Sequence, residues 1–183
     1  MRARRLRRQL RRSDELGPLL ALERPAWTRW FAWSWLGAAL ARTSMSFGVV
    51  NAPGQRYHPA IVAQGAATLT AMFPGRFWIG LGTGEASNEH ITGDGWPRKD
   101  VRMQRLRQCV DVIRALLAGE EVSHDGLVTV DRARIWTLPA EPAKLLGAAF
   151  SAKTAATVAE WADGLSSRRS RRCRPRGRQG RSR

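Results

Sequence analysis

Apolar and polar positions switch between two periods along the middle of the chain. Residues 31–41 carry Trp33, Trp35, Leu36 and Leu40 as anchors of one helical face, and residues 46–51 form a short apolar run ending at Pro53-Gly54. Pro59 suits the first position of a helix reaching about residue 73, where Pro74-Gly75 stops it. Residues 76–81 then read as a buried strand. After a polar loop, residues 100–118 place Met103, Leu106, Val110, Ile113 and Leu117 at helical spacing, with Gly119 as the stop. Residues 121–136 predict a two-stranded excursion turning at Asp125-Gly126, and 144–149 another buried strand. A last helix starts at Ser151 or Thr154 and reaches about Ala162. The order αβαβα, hairpin, βα argues for parallel strands joined by helical crossovers, an α/β layer or a piece of a barrel.

The strand at 76–81 runs straight into Gly82-Thr83-Gly84-Glu85-Ala86-Ser87-Asn88-Glu89-His90. Gly80, Gly82 and Gly84 let the backbone turn tightly and approach a ligand. Thr83, Glu85, Asn88 and Glu89 then stand at the strand's carboxyl end, where α/β folds bind ligands.

Charge divides the chain into three. Residues 1–12 hold 7 Arg and residues 166–183 hold 9 Arg, with no Asp or Glu in either, whereas residues 13–165 hold 15 basic and 15 acidic residues. The net charge of +16 therefore belongs to the ends. Blocks of like charge with few apolar side chains predict disordered tails at 1–12 and 166–183 around a folded domain at 13–165. Such tails can bind nucleic-acid phosphates non-specifically by counterion release, so a basic nucleic-acid-binding protein is the competing class. No aromatic residue is interleaved there for base stacking. A third reading is an inert product of a frameshifted gene.

Cys109 falls on a helical pattern as a small core residue, Cys173 lies in the second tail, and no Cys or His spacing suits a metal. No apolar run approaches a membrane span and no signal sequence is evident, so a cytoplasmic protein without a membrane partner is expected. His58 reads as a loop residue, His90 as a polar rim and His124 as exposed beside the hairpin turn. Trp27, Trp30, Trp33 and Trp35 read as packing, and Arg102, Arg105 and Arg107 as a solvated helix face.

Four motifs in order carry a resemblance: Phe31-Ala32-Trp33-Ser34-Trp35-Leu36, Arg56-Tyr57-His58-Pro59-Ala60, Phe73-Pro74-Gly75-Arg76 and Leu81-Gly82-Thr83-Gly84-Glu85-Ala86-Ser87-Asn88-Glu89. They resemble the bacterial luciferase-like oxidoreductases, within them the branch of the deazaflavin (coenzyme F-420)-dependent glucose-6-phosphate dehydrogenases. The resemblance implies an α/β fold, a partial (β/α)8 TIM barrel, that moves a hydride between a small-molecule substrate and FMN or coenzyme F-420, or acts as a monooxygenase. It also implies that Thr83 and Asn88 face the ring with Glu85 as catalytic proton donor, while Val49, Val50, Asn51 and Ala52 line it. A carboxyl group beside a buried ring can have its pKa raised by desolvation and so hold a proton at neutral pH.

Departures from the family pattern accompany the matches. The family's Ser-Asp-His with a following Trp has its best counterpart in Ser13-Asp14-Glu15-Leu16 with Leu19, which lacks the imidazole and the aromatic wall. The glycine-rich phosphate turn reads Gly147-Ala148-Ala149. A complete barrel needs roughly 250 residues, and this chain supplies about four strands. A truncated, impaired enzyme with two open sheet edges is expected, as is association with a partner fragment or a further copy.

Overall fold

Four parallel strands, neighbours in space in the order in which they occur in sequence, carry the fold of the computed structural model, which describes residues 31–149 and 151–166. The arginine-rich ends, Ser13-Asp14-Glu15-Leu16, Leu19, Trp27, Trp30 and Cys173 lie outside the described residues. The order is α1 (Ala32–Arg42), β1 (Phe47–Asn51), α2 (Pro59–Met72), β2 (Phe77–Leu81), α3 (Ala86–Glu89), a 3-10 turn (His90–Thr92), α4 (Lys99–Leu117), β3 (Val122–His124), β4 (Val130–Ala133), β5 (Lys144–Ala148), α5 (Ala152–Ala159) and β6 (Gly164–Ser166). The sheet runs β1-β2-β5-β6, pairing Val49 with Ile79, Ile79 with Leu145 and Gly147 with Leu165. This is half of an eight-stranded parallel barrel.

Local chemistry sets the helix ends. Pro59 occupies the first turn of α2, and the His58 ring accepts the Ala60 N–H at 3.3 Å as the cap. His58 also bonds the Thr129 carbonyl at 2.8 Å, tying the start of α2 to the hairpin. Ser151 caps α5 by accepting from the Thr154 N–H at 3.2 Å. Gly119, at φ 88°, ends α4 in the left-handed conformation that a side chain disfavours.

The two faces of the sheet differ. Phe47, Val49, Phe77, Ile79, Leu81 and Leu145 are buried in one core with Leu36 and Leu40 of α1, Val62 of α2, Val110 and Ile113 of α4 and Val158 of α5. Trp33 packs on Phe77 and Trp35 meets Phe47 edge-on, each at 5.9 Å between ring centroids, so these two tryptophans are packing groups as expected. On the other face, the Trp78 ring covers Gly48, where a Cβ would lie 2.1 Å from its Cδ2. Val50 crosses Gly80 with its Cγ2 3.0 Å from where a Cβ would stand.

Three elements differ from expectation. Strand β6 is absent from the sequence pattern, because three residues are too few to show a period, yet it pairs along Leu146, Gly147 and Ala148. Asp163 docks it from both sides: its N–H donates to the Leu145 carbonyl and its carboxylate accepts the Leu145 N–H, each at 2.8 Å. The hairpin does not turn tightly at Asp125-Gly126; a five-residue connection joins β3 to β4, with the Leu127 N–H donated to Gln108 Oε1 at 2.8 Å. Nor do Arg102, Arg105 and Arg107 form one solvated face. Arg107 is exposed, but Arg102 stacks 4.3 Å over the Trp96 ring and Arg105 donates to Gln55 Oε1 at 3.1 Å, both half-buried. Among the described residues no helix is long and apolar enough to cross a membrane, and no cluster of His, Cys, Asp and Glu could hold a metal.

Candidate functional site

The carboxyl ends of β1, β2 and β5 converge on the glycine turn. The Gly82 N–H donates to the Asn51 carbonyl at 3.0 Å, continuing the β1–β2 ladder one step past its last pair. A Cβ on Gly82 would stand 3.3 Å from that of Ala148. Gly84 adopts φ 75°, and a Cβ there would lie 2.7 Å from Ala52 Cβ. Glycine is thus required at 84 both for backbone conformation and for space.

Beyond the turn, Glu85 is the extended cap of α3, and its carbonyl accepts from the Asn88 N–H at 2.9 Å and the Glu89 N–H at 3.2 Å. Its side chain is exposed and makes no capping bond, so its carboxylate is available to a ligand rather than used to hold the helix. Thr83 and Asn88 are half-buried beside it. Along β1, Val50 is 43% exposed on the open face, whereas Val49, on the other pleat, lies in the core at 4%. Val49 can therefore meet a ring on the open face only through its backbone. Asn51 is buried, and its Nδ2 has no hydrogen-bond partner among the described residues. A buried amide left without an acceptor is a costly arrangement that a ligand or water would relieve.

Glu89, which the sequence groups with Thr83, Glu85 and Asn88 at the ligand end of the strand, is instead buried. At 4% exposure it is the one carboxylate among the described residues that is buried; Oε2 accepts the Arg56 N–H at 3.3 Å, and its carbonyl accepts from Thr92 Oγ1 at 3.2 Å. Burial pushes its pKa up, against the opposing Arg56 N–H and the charges of Arg56 and Arg105. No local signal announces this, because the partners come from loops and helices remote in sequence. A cavity of about 520 Å3 sits at the amino end of β5 between Arg114, Lys144 and Asp163. There the Arg114–Asp163 pair at 2.9 Å satisfies its own charge, and the cavity is remote from the glycine turn.

A strip of strand free of Cβ atoms at Gly48 and Gly80, partly roofed by Trp78 and Val50, ends in hydroxyl, amide and carboxyl groups. That chemistry fits the edge and face of a planar heteroaromatic ring. The phosphate side fits less well: a Cβ on Gly147 would point into Val158 rather than toward a ligand, and Ala148 and Ala149 carry methyl groups.

The fold defines the class as part of a (β/α) TIM barrel, with the polar run of Thr83, Glu85 and Asn88 at the carboxyl ends of its strands. The chain belongs to the luciferase-like monooxygenase family, whose profile matches residues 1–169. It is 43% identical over 124 residues to the F420-dependent glucose-6-phosphate dehydrogenase of Nakamurella multipartita, covering 66% of this chain and 37% of the relative. The enzyme of the same name from Kribbella flavida is 42% identical over 140 residues, covering 74% and 42%. Among solved structures, an F420-dependent secondary alcohol dehydrogenase in complex with an F420-acetone adduct superposes with a TM-score of 0.71 at 36% identity, over 74% of this chain and 42% of that one. The F420-dependent tetrahydromethanopterin reductase of Methanopyrus kandleri shares the fold, with a TM-score of 0.64 at 23% identity over 77% of this chain and 45% of that one. The chain spans 37% to 42% of these two dehydrogenases' length.

Proposed function

We propose that the chain carries the cofactor-facing half-barrel of a luciferase-like oxidoreductase that uses a deazaflavin of the coenzyme F-420 type, with FMN as the alternative cofactor. The observation that carries this reading is the Gly82–Glu89 run at the carboxyl end of β2, which gathers Thr83, Glu85 and Asn88 at the end of a strand face surfaced by Trp78 and Val50. The names of the 43% identical relative and the 36% identical structure favour the deazaflavin. Such a ring, held there, would supply a hydride acceptor for a carbinol carbon of the substrate.

The residues of this chain would divide the remaining work. Val50 and Trp78 form the apolar wall that excludes water from one face of the ring, and Thr83 and Asn88 orient its polar edge. Glu85 Oε1 or Oε2 holds or delivers the proton that accompanies hydride movement. The imidazole that relatives place near Ser-Asp-His has no counterpart in Ser13-Asp14-Glu15-Leu16, so binding is retained better than turnover. The test is fluorescence titration of the 183-residue chain with coenzyme F-420 and, separately, FMN. Saturable binding of the deazaflavin that weakens in Thr83→Val is expected; binding of FMN alone moves the assignment to flavin, and binding of neither overturns it.

A further inference from the structure

Resting on that reading, we propose that Glu89 is a positioning residue whose buried carboxylate ties the turn after β2 to the loop after β1, and so presents Thr83, Glu85 and Asn88 to the cofactor in one arrangement. At 4% exposure Glu89 cannot reach a ligand itself; it acts through its neighbours. One neighbour is Gly84, where a Cβ would stand 3.1 Å from Glu89 Cγ and 3.5 Å from Cδ, so the side chain lies directly behind the turn. The other is the Arg56 N–H, which its Oε2 accepts at 3.3 Å across 33 positions of sequence.

The loop after β1 is held from a second direction. Arg105 donates to Gln55 Oε1 at 3.1 Å, and its Cγ and Cδ lie 2.9 Å from where a Cβ on Gly54 would stand. Arg56 Nη2 donates to the Tyr57 hydroxyl at 3.2 Å, so the Arg56 side chain is itself anchored within the loop. Turn, loop and α4 thus meet around one carboxylate, with the charges of Arg56 and Arg105 facing it. A leucine would fill the same space without the cost of burying a carboxyl group. What it could not supply is the acceptor that fixes the loop.

The experiment combines amide hydrogen exchange of the free protein with coenzyme F-420 titration, on the wild-type chain, Glu89→Leu and Glu89→Gln. In Glu89→Leu the amides of 83–88 should exchange about tenfold faster with those of β2 unchanged, and affinity should fall about tenfold, the scale of loss expected when reacting groups shift by a fraction of an ångström. Glu89→Gln keeps a carbonyl acceptor for the Arg56 N–H and should bind like the wild type. Equal affinity in Glu89→Leu, or an equal acceleration in β2, overturns the proposal. Should Glu89→Leu fail to fold, Glu89→Gln decides: wild-type affinity supports the acceptor role and about a tenfold loss overturns it. A wild-type chain that binds neither cofactor instead overturns the functional reading on which the proposal rests, and that outcome is visible without any variant.

Discussion

The guanidinium of Arg76, at the entrance to β2, donates to the carbonyl oxygen of Leu40 at 2.9 Å. The same side chain reaches the Met45 carbonyl at 3.0 and 3.1 Å and also bonds the Thr43 carbonyl. One cation thereby collects the Leu40 oxygen, which the last turn of α1 leaves without an intrahelical donor, together with the oxygens of Thr43 and Met45 in the cap and loop that follow. Arg76→Met should destabilise the protein by about 2–4 kcal/mol, since several half-buried acceptors lose a charged donor at once. Arg76→Lys should recover less than half of this, because an ammonium lacks the planar fork. Urea denaturation midpoints of the three proteins check both statements.

Gly48 and Trp78 should behave as a coupled pair. A methyl at 48 would lie 2.1 Å from the indole Cδ2, so Gly48→Ala must displace the ring, at about 1–3 kcal/mol. In a Trp78→Ala background the same change should cost far less. A double-mutant cycle by chemical denaturation measures the difference; additive costs would show that the ring does not occupy that space.

Two carboxylates should bend the stability–pH curve in opposite directions. Burial raises the Glu89 pKa above its ordinary 4.5, so the folded state holds the proton more firmly than the unfolded chain. Its contribution is fully present below 4.5 and is lost as pH rises through the folded value. Burial also pushes Asp163 up, but the Leu145 N–H, the Arg114 guanidinium and the Lys144 charge outweigh it and hold the carboxyl below its ordinary 3.8. Its contribution is present above 3.8 and disappears as pH falls through the folded value. Relative to the wild type, Glu89→Gln should therefore gain most at neutral pH and least in acid. Asp163→Asn should lose most at neutral pH and least in acid. Urea titrations between about pH 3 and 8 separate the two.

Cys109 should be chemically silent in the native protein. Burial pushes its thiol up to about 12, with Arg105 pulling only weakly the other way, and no part of the residue reaches solvent. In a Cys173→Ser chain, an aromatic disulfide reagent at about pH 8 should react only after denaturant is added, because the thiolate is the nucleophile. Prompt stoichiometric labelling without denaturant would show that the α4 core opens freely.

What could be read from the sequence was whatever is encoded within a few residues of itself. Pro59, Gly119 and Ser151 each act on their own helix end, and each helix starts or stops within a residue or two of the position those residues predict. The glycine turn was legible for the same reason. Strand β6 was not, because Gly164–Ser166 becomes a strand only through Leu146–Ala148 and the two hydrogen bonds between Asp163 and Leu145. Arg105 looked solvated because its helix phase points outward, but a glutamine 50 positions earlier folds over it. Asp125-Gly126 carried a tight-turn signal that lost to Gln108, whose side chain holds the connection open from another element. At the site, Thr83, Glu85 and Asn88 stood out as a polar run, while the burial of Glu89 depended on Arg56, 33 positions away.

Glu89 grips residue 56 by its main chain, and this has an evolutionary corollary. Any amino acid with an amide hydrogen can donate at that position, but only a basic one keeps the charge that faces the carboxylate. Proline is barred outright, since it has no N–H to give, and a neutral replacement would leave the turn fastened with Arg105 as the remaining charge beside it.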